Sequence, residues 1–114
     1  MSGALDDIVV LDVTRGFASS MTAAFLGDFG ARVIRLEPVG GAARRGAVDE
    51  DGARSGTWNH EADLIHRNKQ SLALDVATAR GRAVLDDLLG RCDVVLTDWP
   101  LAEIAALGLD YSAA

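Results

Sequence analysis

Two apolar runs separated by one helix-length segment constrain this chain more than any other feature. "IVVLDV", Ile8 to Val13, is apolar except for Asp12, and "ARVIRLE" ends at Glu37 and is closed by Pro38. Runs of this kind suit strands buried on both faces of a parallel sheet, where no solvent-facing polar side is needed. Between them, "FASSMTAAFLGDFG" carries Phe17, Met21, Phe25 and Leu26 at helical spacing and stops at Gly30, a residue that tolerates the positive φ of a helix end. Two strands joined by one helix form a crossover, so the pair is expected to be parallel.

Beyond Pro38 the pattern lapses. From Val39 to His66 the chain is rich in Gly, Ala and charge with no sustained period, which predicts a long flexible loop over 39–66. "QSLALDV" then alternates Leu72, Leu74 and Val76 on one face as a short strand. "TARGRAVLDDLLGRC" aligns Val84, Leu85, Leu88, Leu89 and Cys92 along one helical stripe, with Thr78 as N-cap and Gly90 near the end. "DVVLTD" reads as another strand buried on both faces. "PLAEIAALG" is a helix with Pro100 in its first turn and Gly108 at its close. The order β, α, β, loop, β, α, β, α defines an α/β fold with a Rossmann-like open parallel sheet, one partial domain over residues 1–114.

Bulk properties narrow the function classes. At 114 residues and 49% hydrophobic the chain can build one modest core. A net charge of −6 argues against a nucleic-acid partner, because binding a phosphate backbone takes a basic face. No apolar run is long enough to span a bilayer, and "MSGALDDIVV" has acids where a signal peptide has bases; no membrane partner and a cytoplasmic location are expected. The single cysteine, Cys92, has no intrachain disulfide partner and reads as a small core residue.

Several familiar motifs fail on inspection. A dinucleotide fingerprint needs three glycines in the first βα turn so that backbone N–H groups can approach a pyrophosphate. The turn here is "DVTRGFASSM", with Gly16 alone and Phe17 beside it, although Glu37 stands where a ribose-binding acid would. Glu37 is therefore read as closing the strand rather than choosing a cofactor. No glycine is followed by Lys and Ser or Thr, which removes a Walker loop. "DEDG" lacks the flanking acids of a calcium loop, and in "HEADLIH" the histidines are off the shared helical face that zinc requires. His60 and His66 read as loop or surface residues, and no metal is expected. Arg44 and Arg45 read as solvated loop charges offset by Asp49, Glu50 and Asp51.

Taken together, "VVLDVTRGFAS", "LGDFGARVIRLEPVGG", "RNKQSLALDVATARGRAVLDDLL", "CDVVLTDW" and "ALGLDY" resemble the class III CoA-transferases. This is the family of formyl-CoA and carnitine-CoA transferases, which includes α-methylacyl-CoA racemase. The resemblance implies an enzyme that moves CoA between carboxylic acids. An Asp carboxylate attacks the acyl-CoA thioester, giving an acyl-enzyme and then an enzyme-bound CoA thioester. It implies interlocked homodimers of much longer chains, of which this is the N-terminal part of the large domain, with the nucleophile beyond residue 114. No catalytic residue is expected within the chain.

Carried over position by position, the resemblance places CoA against Arg15, Gly16 and Phe17, against Asn68, Lys69 and Leu74, and against Asp98 and Trp99. Backbone N–H groups and cations would meet phosphates, and Leu74 and Trp99 would wall the adenine. The chain departs from the family pattern in places: "ASS" stands for "AGP" at Ala18 to Ser20, "KQS" for "KRS" at Lys69 to Ser71, "TDWPLA" for "ENFRPG" at Thr97 to Ala102, and Ala106 for an arginine. Two alternatives stay open, a non-catalytic degenerate module serving structure or dimerisation, and the N-terminal part of an acyl-CoA racemase.

Overall fold

The computed structural model describes residues 3–39 and 60–109. The elements run β1 (Val9–Val13), α1 (Phe17–Asp28), β2 (Arg32–Glu37), α2 (His60–Ile65), β3 (Lys69–Ala73), α3 (Ala79–Leu89), β4 (Val94–Thr97) and α4 (Leu101–Ala106). The strands form one four-stranded sheet in the order β3-β2-β1-β4, and all three pairings are parallel. The mixed α/β fold with an open parallel sheet therefore stands as expected.

Side-chain alternation along β1 splits the interior in two. Leu11 and Val13 face one way and pack with Leu85 of α3, Ile104 of α4 and Leu109. Val10 faces the other way and packs with Ala23 of α1, Ala31 and Val33. Small residues, Ser20, Ala23 and Ala24, bring α1 close to the sheet. Phe17 and Phe25 of α1, and Phe29 just after it, stay exposed. Cys92 packs against the Leu11 cluster as a partly buried residue, and burial pushes its thiol pKa up.

The chain ends of the elements follow from local chemistry. Gly30 (φ 107) and Gly108 (φ 69) take the left-handed conformation after α1 and α4. Thr78 caps α3 by accepting from the Gly81 N–H at 3.0 Å. Asp75 shapes the preceding turn: its carboxylate accepts from the Ala77 N–H at 3.1 Å, and its carbonyl from the Thr78 hydroxyl at 2.8 Å.

Three expectations are revised. His60–Ile65, inside the stretch read as loop, forms the six-residue helix α2, too short to show a period; much of 39–66, with Arg44, Arg45 and the acids of "DEDG", lies outside the described residues. β4 is not buried on both faces: Val94 is 40% exposed, and among the described residues the strand borders only β1. Val84, placed on the buried stripe of α3, is 42% exposed, because Leu85 points at the core instead. No helix among the described residues is long and apolar enough to cross a membrane.

Gly81 carries a prediction of sign. Alanine in place of a helical glycine ordinarily gains up to about 1 kcal/mol. A Cβ here would run into the Asp75 carbonyl, which is backbone and cannot swing away. Gly81→Ala is expected to lose about 1–3 kcal/mol, as overpacking does. A lowered urea midpoint checks it, and an unchanged or raised midpoint contradicts it.

Candidate functional site

In an open parallel sheet the strand ends and the following turns build a crevice at the carboxyl edge. Here it has a volume of about 610 Å³ and takes side chains from the ends of β1, β2 and β3 and from the β4–α4 turn. Its walls are mainly apolar, with Leu36, Leu74, Val76, Trp99 and Leu107; Arg15, Glu37 and Asp75 add polar groups. Cavities of this size and lining suit one small organic ligand.

Of the eight positions singled out by sequence, Arg15, Leu74 and Trp99 line this crevice. The Arg15 guanidinium lies 3.8 Å from the centroid of the Trp99 ring, a cation–π stack, and pairs with Glu103 of α4 at 2.8 Å. Gly16 is the N-cap of α1 and Phe17 its first residue, 44% exposed.

Asp98 is seated in the β1–α1 turn. Its carboxylate accepts from the backbone N–H of Arg15 (2.9 Å), from that of Gly16 (2.7 Å) and from the Ser19 hydroxyl (2.5 Å). Burial pulls its pKa upward, but the bonds from Ser19, Arg15 and Gly16 outweigh that and hold it below the usual aspartate value. The N–H groups expected to meet a ligand phosphate are thus already bonded to the chain's own acid.

Asn68 and Lys69 are not in the crevice. They stand where β3 begins, and in a parallel sheet that is the edge opposite the carboxyl ends. Asn68, at φ 60, donates its amide to Asp28 at 2.6 Å beside the Arg67–Asp28 ion pair (2.7 Å). The Lys69 side chain is only 2% exposed and runs beneath α1 to Asp12 Oδ2 at 2.7 Å and the Ser20 carbonyl at 2.8 Å.

Lys69 belongs to a buried polar network that the sequence reading missed. Asp12, at 0% exposure, also accepts from the Thr14 hydroxyl at 2.5 Å, and Thr14 bonds Ser20 at 2.8 Å. Arg35 donates to Glu37 at 3.2 Å and stands 3.8 Å from Asp12. The His66 ring, 3.5 Å from the Lys69 ammonium, is partly buried rather than a surface residue. Desolvation first, then the charges of Arg35 and Lys69, push its pKa down to about 4. Burial also draws the Lys69 pKa down, against the pull of Asp12. Glu37 closes its strand, as read, but as a buried partner of Arg35. The signal was visible: Asp12, Arg35 and Lys69 each occupy a position on the α1 side of a strand.

No group of three His, Cys, Asp or Glu side chains that could hold a metal ion occurs among the described residues.

An open, parallel α/β sheet with an apolar crevice at its carboxyl edge defines the fold class, a Rossmann-like α/β domain. The chain belongs to CoA-transferase family III, whose model matches residues 5–114. It is 30% identical over 105 residues to the cinnamoyl-CoA:phenyllactate CoA-transferase of Clostridium sporogenes, covering 91% of this chain and 26% of that protein. It is 35% identical over 113 residues to the succinyl-CoA:mesaconate CoA-transferase of Haloarcula hispanica, covering 96% and 28%. Among solved structures, a CaiB/BaiF family protein from Brucella suis superposes with a TM-score of 0.83 at 29% identity, over 99% of this chain and 30% of that one. A hypothetical protein from Mycobacterium tuberculosis gives 0.85 at 28% identity, over 98% and 30%. The chain thus spans about a quarter of the length of the curated relatives it matches.

Proposed function

We propose that the chain is the CoA-recognising N-terminal part of an enzyme that moves CoA between carboxylic acids. The chemistry is transfer through an aspartyl acyl-enzyme, with the nucleophile supplied by a later part of a cytoplasmic homodimer. Acyl-CoA and a carboxylic acid are its small-molecule partners. The observation that carries this reading is the crevice itself: an apolar cavity at the carboxyl edge of the sheet, with Trp99 and Leu74 on its walls. The activities of the relatives agree with it.

Titration calorimetry with CoA tests the reading. One saturable site is expected, and Trp99→Ala should weaken it roughly three- to tenfold, the worth of one aromatic contact. No heat from a folded sample at millimolar CoA would sink the proposal. A second reading, a non-catalytic module of the same fold, draws support from the Asp98 carboxylate seated in the β1–α1 turn. A silent titration favours it.

A further inference from the structure

At the mouth of the crevice, the β4–α4 segment meets the β1–α1 turn through two acids. Asp98 takes the Arg15 and Gly16 N–H groups and the Ser19 hydroxyl. Glu103 takes the Arg15 guanidinium at 2.8 Å, while the same guanidinium lies flat on Trp99. The anion-binding groups of this turn are therefore bonded twice over, by backbone and by side chain, to carboxylates of the same chain.

Among the described residues that line the crevice, Arg15 and Arg35 are the basic ones, and both are paired with acids. Arg35, which borders the crevice, is 5% exposed and held by Glu37, and Asp75 brings a further acid to the rim. A phosphate entering this end would have to displace a charge-assisted bond and would meet the repulsion of the acid it displaced. The neighbouring walls, Leu74, Val76, Leu107 and Trp99, offer apolar and aromatic surface instead.

We propose that Asp98 and Glu103 are specificity-determining residues: they fill the anion seat of the β1–α1 turn, so the part of a ligand lying against Arg15 and Trp99 is uncharged. The phosphates of a CoA-type ligand lie away from this turn, and a neutral ring or the apolar arm takes the wall. The identity of that ligand rests on the function proposed above; the closed anion seat does not.

Inorganic pyrophosphate, titrated at constant ionic strength, is the probe. The isosteric Asp98→Asn chain should bind it roughly tenfold or more tightly than the wild-type chain, the worth of a bond to a charged group. Glu103→Gln, at an exposed ion pair, should gain about two- to fivefold. It keeps the test open if Asp98→Asn fails to fold. Folded variants that bind pyrophosphate no better than wild type overturn the inference. A parallel CoA titration separates the two ideas. Wild type that ignores CoA, while the variants gain pyrophosphate affinity, leaves this inference standing and removes the proposed function.

Discussion

Lys69→Met is expected to cost the chain about 3–5 kcal/mol of folding free energy, the range for removing one partner of a buried ion pair. The lost amine leaves Asp12 fully enclosed, with the Thr14 hydroxyl on one oxygen and Arg35 no nearer than 3.8 Å to the other. It also removes the donor to the Ser20 carbonyl. A domain this small has only about 5–15 kcal/mol in all, so much of the reserve goes. Urea denaturation followed by circular dichroism checks it. The double variant Asp12→Leu with Lys69→Met removes both charges together, and is expected to recover much of the loss. A single variant as stable as wild type would mean the pair is not buried as described.

Acidification is expected to weaken the fold by about 1–2 kcal/mol between pH 6.5 and pH 4, the shift being discounted because the ring is only partly buried. The cause is His66, whose folded pKa of about 4 lies below its ordinary 6.5 because burial, Arg35 and Lys69 all oppose its protonation, with Asp12 and Glu37 pulling the other way. Above pH 6.5 the imidazole is neutral whether the chain is folded or not, so it adds no slope. As pH falls through 6.5 the unfolded chain takes the proton first, and stability drops until the folded chain takes it too, near pH 4. The urea midpoint measured across this window should fall with acid, and a His66→Asn chain should show a flatter profile there. Equal slopes for the two chains would remove His66 as the source.

The outer frame of the molecule was legible because it is written in repeated patterns. The apolar runs of β1 and β2, the spacing of α1, Thr78 before α3, and the glycines after α1 and α4 each repeat or cap in a recognisable way. α2 was not legible, since six residues contain too little period to stand out from a charged loop. The site divides on a different line. Arg15, Leu74 and Trp99 came from the family resemblance, and they line the crevice because each follows a parallel strand and so falls at the carboxyl edge. Asn68 and Lys69 were misplaced because adjacency to a strand does not tell which of its ends they occupy. Nor does it tell that a lysine stem can run beneath a helix to reach the next-but-one strand. Asp98 was found as a position but not as a role. Its part as an internal anion depends on the β4–α4 segment folding back on the first turn, across some eighty positions of chain.

The charges beneath α1 also act on pairing. Asp12, Arg35 and Lys69 project from three adjacent strands to the same side, whereas Leu11 and Val13 fill the other. Sliding β3 by one residue against β2 would turn the Lys69 ammonium toward the leucine-rich layer and take from Asp12 its 2.7 Å ion-pair partner. A one-residue slip is therefore penalised on both faces of the sheet, so the buried charges count against that misalignment as well as adding to the native pairing.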